Sequence, residues 1–189
     1  LARHGFARKQ EWKLEEQSDN MVALSLSSAD HAELLEQYPY PFKIVARYTI
    51  DSEKVAVSYE VTNEGTEDMP FFVGGHPGFK CPLDEGESYD DYELRFEQRE
   101  ATELCTAVPS TGLIDVEHRS KNPMIGQNLP LTHELFDFAE TIFDVLESRV
   151  VTLTKKTEDK GVRLTFPDMP YLIVWSKPEG DFVAVEPWG

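Results

Sequence analysis

The sequence predicts an all-β protein, a large antiparallel β-sandwich, from three observations. Apolar residues alternate with polar ones over several segments, those segments are short and bounded by Gly, Pro, Asp or Lys-rich turns, and a single stretch has helical character. From Phe42 to Ile50 one face carries Phe42, Ile44, Ala46, Tyr48 and Ile50, while Lys43, Arg47 and Thr49 point the other way. Val55, Val57, Tyr59 and Val61 repeat the device, and the polar Asp51-Ser52-Glu53-Lys54 folds the two segments into a hairpin that Asn63-Glu64-Gly65-Thr66 closes. Further strands are expected over Tyr92–Glu97, Val150–Thr154, Val162–Phe166, Tyr171–Trp175 and Phe182–Glu186. The helix is expected over Ala29–Gln37, with Ser27 or Ser28 as cap and Pro39 and Pro41 as stops. The polar stretch Ser110–Asn128 reads as a long loop. No repeat or Gly/Ser linker interrupts the chain, so residues 1–189 read as one domain.

Composition narrows the function. With 189 residues, 40% of them hydrophobic, the chain has the apolar mass for a substantial core. Its net charge of −17 repels phosphodiester backbones and anionic lipid headgroups, and no cluster of Lys and Arg relieves it; nucleic acid and membrane surfaces are excluded as partners. Cys81 and Cys105 have no metal-type spacing and read as free thiols, with one disulfide between them left open. With no apolar run of membrane-spanning length and no signal pattern, the expected location is the cytoplasm.

Two short motifs carry chemistry. Gly74-Gly75-His76-Pro77-Gly78-Phe79 follows the apolar Met69–Val73, so a tight turn presents the His76 imidazole where a strand passes into a loop. Glu186-Pro187-Trp188-Gly189 ends the last strand, on which Phe182, Ala184 and Glu186 share one face and Val183 and Val185 the other. Pro187 is expected to end regular pairing where the carboxylate appears. Read without its partner motif, each has an ordinary explanation: a structural turn for His76, a solvated strand-end carboxylate for Glu186. Phe79 and Trp188 offer stacking surface for a pyranose, with core packing as the equal alternative.

Together with Arg3-His4-Gly5-Phe6-Ala7-Arg8, Trp12 and Leu131-Thr132-His133-Glu134-Leu135-Phe136, these motifs resemble the aldose 1-epimerase (galactose mutarotase) family, nearest its LacX-type branch, which is related to hexose-6-phosphate epimerases. The resemblance runs nearly end to end. It implies the mutarotase supersandwich, with Glu186 matching the general base, His76 the general acid and His4 a second histidine near the ring oxygen. Arg3 and Arg8 fall in or beside the family's arginines, and Arg8 is a candidate phosphate contact. The family commonly has an acidic residue before the Ile-Phe matched by Ile142-Phe143; this chain has Ala139 there, with Asp137 and Glu140 nearby, and Asp137 is the preferred sugar-hydroxyl contact. Members carry strands before the His-Gly block and more chain after Glu-Pro-Trp, so the domain is expected to be incomplete at both ends.

The implied reaction interconverts the α- and β-anomers of an aldohexose or hexose 6-phosphate. A carboxylate takes the C1 hydroxyl proton while an imidazolium protonates the ring oxygen, which needs no metal, nucleotide or redox cofactor. His31 and His118 read as surface or structural histidines, and His133 as a structural hydrogen-bonding one. The alternative is a non-catalytic carbohydrate-binding or sensing module on the same fold. A glycoside-processing enzyme would need a second carboxylate across from Glu186, for which Asp137 is the candidate.

Overall fold

The computed structural model describes residues 4–189 and divides the chain into two compact units, one ending at Phe71 and the other spanning Phe72–Gly189. Both are built from antiparallel strands, as the alternation predicts.

In the first unit, β1 (Lys13–Ser18), β2 (Met21–Ser27), β3 (Phe42–Asp51) and β4 (Lys54–Asn63) form one sheet in that order. The β3–β4 hairpin turns through two residues, with Asp51 opposite Lys54 and Ser52 in the left-handed region at φ 52°. Leu26, Leu34 and Phe42 form its small core, against which Phe6, Trp12, Tyr38 and Met69 pack. The expected apolar face of β3 is buried at Phe42 and Ala46 in its first half; Tyr48 and Ile50, with Val55 and Val57 of β4, are exposed.

The expected helix over Ala29–Gln37 is instead a 3-10 turn limited to Ala32–Glu36. Its proposed caps are committed elsewhere: the Ser28 hydroxyl exchanges hydrogen bonds with the Phe42 backbone, and Ser27 Oγ accepts the Ala29 N–H. His31, at φ −132° and ψ 65°, breaks the helical path before a second turn can form.

The second unit is a sandwich of two sheets. Its strands are β5 (Gly78–Lys80), β6 (Tyr92–Phe96), β7 (Glu103–Val108), β8 (Leu113–Lys121), β9 (Asn128–Pro130), β10 (Thr141–Phe143), β11 (Val150–Lys155), β12 (Gly161–Thr165), β13 (Tyr171–Trp175) and β14 (Phe182–Trp188). One sheet runs β5-β14-β13-β10-β7-β8 and the other β12-β11-β6-β9. Leu104, Phe143, Leu172, Val174, Val183 and Val185 of the first sheet meet Leu94, Phe96, Leu129, Val151 and Leu153 of the second in a dry core.

Two expectations are corrected here. The stretch Ser110–Asn128 is not all loop, because β8 occupies its middle. As the last strand of its sheet, paired only with β7, β8 needs no apolar alternation and carries charged residues instead. Nor does Pro187 end pairing: Leu172 lies opposite Pro187 and Tyr171 opposite Trp188. The Pro187 carbonyl accepts the Gly75 N–H at 3.0 Å, so this edge of β14 is tied where the missing proline donor would leave it open.

Candidate active site

The site lies on the opposite face of the six-stranded sheet from the dry core. Across β14, β13, β10 and β7, Glu186 is in register with Ile173, Ile173 with Ile142, and Ile142 with Cys105, so these four side chains form one row. Cys105, Ile142 and Ile173 pack together with Ala107 and Trp188 against them. Glu186 therefore sits at the end of an apolar row, 3% exposed, although it is a carboxylate on a terminal strand. The solvated strand-end reading does not hold.

Backbone pairing brings His76 to it. The Val73 and Gly189 main chains exchange hydrogen bonds, Gly74 bridges to Trp188, Gly75 donates to Pro187, and Val185 donates to Pro77. Gly78 then lies opposite Ala184 and Phe79 opposite Val183 in β5. Each of these pairs sums to the same register, which sets His76 opposite Glu186 with their side chains on one face. His76 Nε2 lies 3.2 Å from Glu186 Oε1, and the imidazole is 44% exposed. Gly74 is required for this approach: a Cβ there would stand 2.5 Å from Trp188 Cδ1 and 3.1 Å from the Pro187 oxygen.

Burial pushes the Glu186 carboxyl up to about 7; a hydrogen bond from the Trp188 side chain pulls it partly back, and the charge of Glu140 adds to the rise. A positively charged imidazole at 3.2 Å would act in the opposite sense and favour the ionised carboxylate. The thiols offer no such chemistry. Both cysteines are free and buried, and burial raises Cys81 to about 12 and Cys105 to about 11.

The remaining candidates divide. Trp188 is two residues beyond Glu186 on the same face and half-buried. Phe79, opposite Val183, packs against the dry core instead and is not a wall of this site. Asp137 is exposed at the end of a 3-10 turn over His133–Phe136. Glu140, half-buried and two residues before Ile142, is the carboxylate whose charge reaches Glu186. Its parity with Ile142 was readable in the sequence, but the register linking Ile142 to Glu186 was not. In the first unit, His4 is exposed at φ 65° before Gly5 at φ 67°, and Arg8 is exposed in a 3-10 turn over Ala7–Lys9. Arg3 lies outside the described residues.

The other histidines have structural roles. His133 stacks on Tyr89 with ring centroids 4.3 Å apart, a role filled by stacking rather than the expected hydrogen bond. His118 pairs with Asp115, and His31 bonds the Glu11 carbonyl. Among the described residues no helix is long and apolar enough to cross a membrane.

The sequence and the fold have relatives among known proteins. Residues 1–189 match the family model described as aldose 1-epimerase. The plasmid and chromosomal LacX proteins of Lactococcus lactis subsp. lactis are each 40% identical over 190 residues, an alignment that covers 100% of this chain and 63% of theirs. The chain thus spans less than two thirds of the length of these relatives. Among solved structures, a galactose mutarotase-like protein from Lactobacillus casei superposes with a TM-score of 0.82 at 31% identity, covering 100% of this chain and 64% of that one. A galactose mutarotase related enzyme from Lactobacillus acidophilus gives 0.84 at 27% identity, with 98% and 61% covered.

Proposed function

Because the chain belongs to the aldose 1-epimerase family, we propose that it interconverts the α- and β-anomers of an aldohexose or hexose 6-phosphate, with Glu186 as general base and His76 as general acid. The observation that carries this reading is the 3.2 Å contact between an exposed imidazole and a carboxylate that is almost wholly buried. A base of pKa about 7 is suited to neutral pH, since it is substantially ionised and still accepts a proton readily.

When a sugar enters, each group exchanges its contact with the other for one with an anomeric oxygen. Glu186 takes the proton of the C1 hydroxyl while His76 protonates the ring oxygen, and the C1–O5 bond opens to the aldehyde. Rotation about C1–C2 presents the other carbonyl face. The proton transfers then run in reverse and close the ring as the second anomer. The substrate's charge balance is unchanged, and the two protein groups return to their starting states. Trp188 supplies apolar surface beside the base, and Glu140 is an acidic group whose charge reaches it; His4, Arg3 and Arg8 are proposed, from the family resemblance, as sugar or phosphate contacts.

The test is anomer exchange followed by saturation-transfer NMR with a panel of aldoses and their 6-phosphates. Glu186→Gln and His76→Asn each lower the exchange rate by about 10²-fold or more while sugar binding persists. Wild-type exchange in both variants rejects the assignment. Binding without any accelerated exchange in the wild-type protein would make it a carbohydrate-binding module instead.

A further inference from the structure

We propose that a cavity in the second unit, walled by residues 99–103 and 121–124, is a binding site for a small phosphate monoester. Its volume is about 440 Å³, and its polar wall is supplied by Arg99, Glu100, Thr102, Glu103, Lys121 and Asn122. That size suits a small metabolite. None of the residues lining it belongs to the site around Glu186.

The walls are held together from within this part of the chain. Glu103 lies opposite Lys121 where β7 begins and β8 ends, and the Asn122 N–H donates to the Thr102 carbonyl at 2.9 Å. The Asn122 side chain bridges the two loops, donating from Nδ2 to the Ala101 carbonyl at 2.6 Å and accepting the Met124 N–H at 2.9 Å. Glu100 is buried and accepts the Glu147 and Ser148 N–H groups, one on each oxygen, at 2.8 and 3.0 Å. Its carboxylate therefore braces the loop instead of pairing with the cations beside it. All of these bonds lie between residues 99 and 148, so the cavity has its shape before any ligand arrives.

The polar groups left over are mostly donors. Among the described residues neither Arg99 nor Lys121 makes an ion pair or a side-chain hydrogen bond, although acidic residues outnumber basic ones 35 to 18 in this chain. Asn122 is 7% exposed, and only one of its two amide hydrogens is taken, so a buried donor remains for a ligand oxygen. Thr102 adds a hydroxyl. The acceptor is Glu103, which forms no ion pair with Lys121 despite lying opposite it. Two cations and a neutral donor suit a dianion: a guanidinium can hold two phosphate oxygens at once, and an ammonium supplies a point charge. Glu103 would repel a second anionic group but can accept a hydroxyl of the esterified alcohol. The ligand class is therefore a phosphate on a hydroxylated carbon skeleton.

The experiment is a ¹H–¹⁵N NMR titration of the 189-residue chain with glycerol 3-phosphate, inorganic phosphate, acetate and glycerol, in which the spectrum also reports that each variant is folded. Glycerol 3-phosphate is expected to give saturable shifts at the amides of residues 99–103 and 121–124, and to bind more tightly than inorganic phosphate or acetate; glycerol should give none. Arg99→Gln and Lys121→Gln should each raise the dissociation constant for glycerol 3-phosphate at least tenfold. Glu103→Gln should erase the preference for glycerol 3-phosphate over inorganic phosphate while leaving inorganic phosphate bound. Shifts centred on residues 74–78 and 184–188 would place the phosphate at the Glu186 site and overturn the proposal. So would the absence of saturable shifts, equal affinity for acetate or inorganic phosphate, or affinity indifferent to Arg99→Gln and Lys121→Gln.

Discussion

Glu186 is a carboxylate whose burial does two measurable things. The first concerns stability. Its folded value of about 7 lies above the ordinary 4.5, so between those pH values the folded protein binds more protons than the unfolded one. Stability contributed by the protonated acid is fully present below about 4.5 and is lost as pH rises to about 7, above which the penalty is constant. Glu186→Gln carries no such penalty. In urea titrations the variant should exceed the wild type by up to about 3 kcal/mol at pH 8, the equivalent of the shift, with the difference closing below pH 4.5. The second concerns catalysis. A base must be ionised to act, so kcat/KM for anomer exchange should fall tenfold per unit as pH drops below an apparent value near 7. An acid limb near 4.5 would mean that the working carboxylate is another one, and then the stability difference should be absent as well.

At the scale of elements, the site depends on the segment 73–77 lying flat along the end of β14. Gly74 permits that approach because Trp188 occupies the space of its missing side chain. Gly74→Ala should cost about 1–3 kcal/mol and slow exchange on the order of 10²-fold, because forcing Trp188 aside also moves His76 from its place opposite Glu186. Gly161→Ala provides the contrast. Its Cβ would meet the Leu153 carbonyl at 2.1 Å in the β11–β12 pair, so it should destabilise the fold while leaving the pH profile of the remaining folded enzyme unchanged. The same elements mark how far sequence reasoning reaches. β3 and β4 were legible because period-two alternation over five or more residues has no helical counterpart, and β13 because it is a short apolar run bounded by Pro170 and Lys177-Pro178. β10 has three residues, too few to alternate, and β8 is a charged edge strand, so neither announced itself. His76 and Glu186 were identifiable through their motifs. That Glu186 is buried, that Phe79 turns to the core, and that Glu140 rather than Asp137 charges the base all follow from strand register, which no local pattern contains.

Across the whole molecule, 35 acidic residues face 18 basic ones, and the resulting charge of −17 opposes the compact state. Local pairing relieves little of it. Most ion pairs are exposed, such as Arg47 with Glu16 and Lys160 with Asp84, and exposed pairs contribute only about 0–1 kcal/mol each. Arg119–Asp144 is about three quarters buried and, with Lys155–Glu87, is screened much less by salt. Raising the ionic strength from about 0.01 to 0.1 M shortens the screening length from about 30 Å to about 10 Å, below the span of a protein this size. The long-range repulsion is thereby reduced, while the partly buried pairs persist. Calorimetry should therefore find the melting temperature rising by about 2–4 °C per kcal/mol of repulsion relieved. The Arg119→Met/Asp144→Leu variant, which lacks one of the more buried pairs without changing net charge, should show the same salt slope. A melting temperature that falls with added salt would mean that the surface pairs outweigh the net charge, and the acidic surface would then be a source of stability rather than a cost.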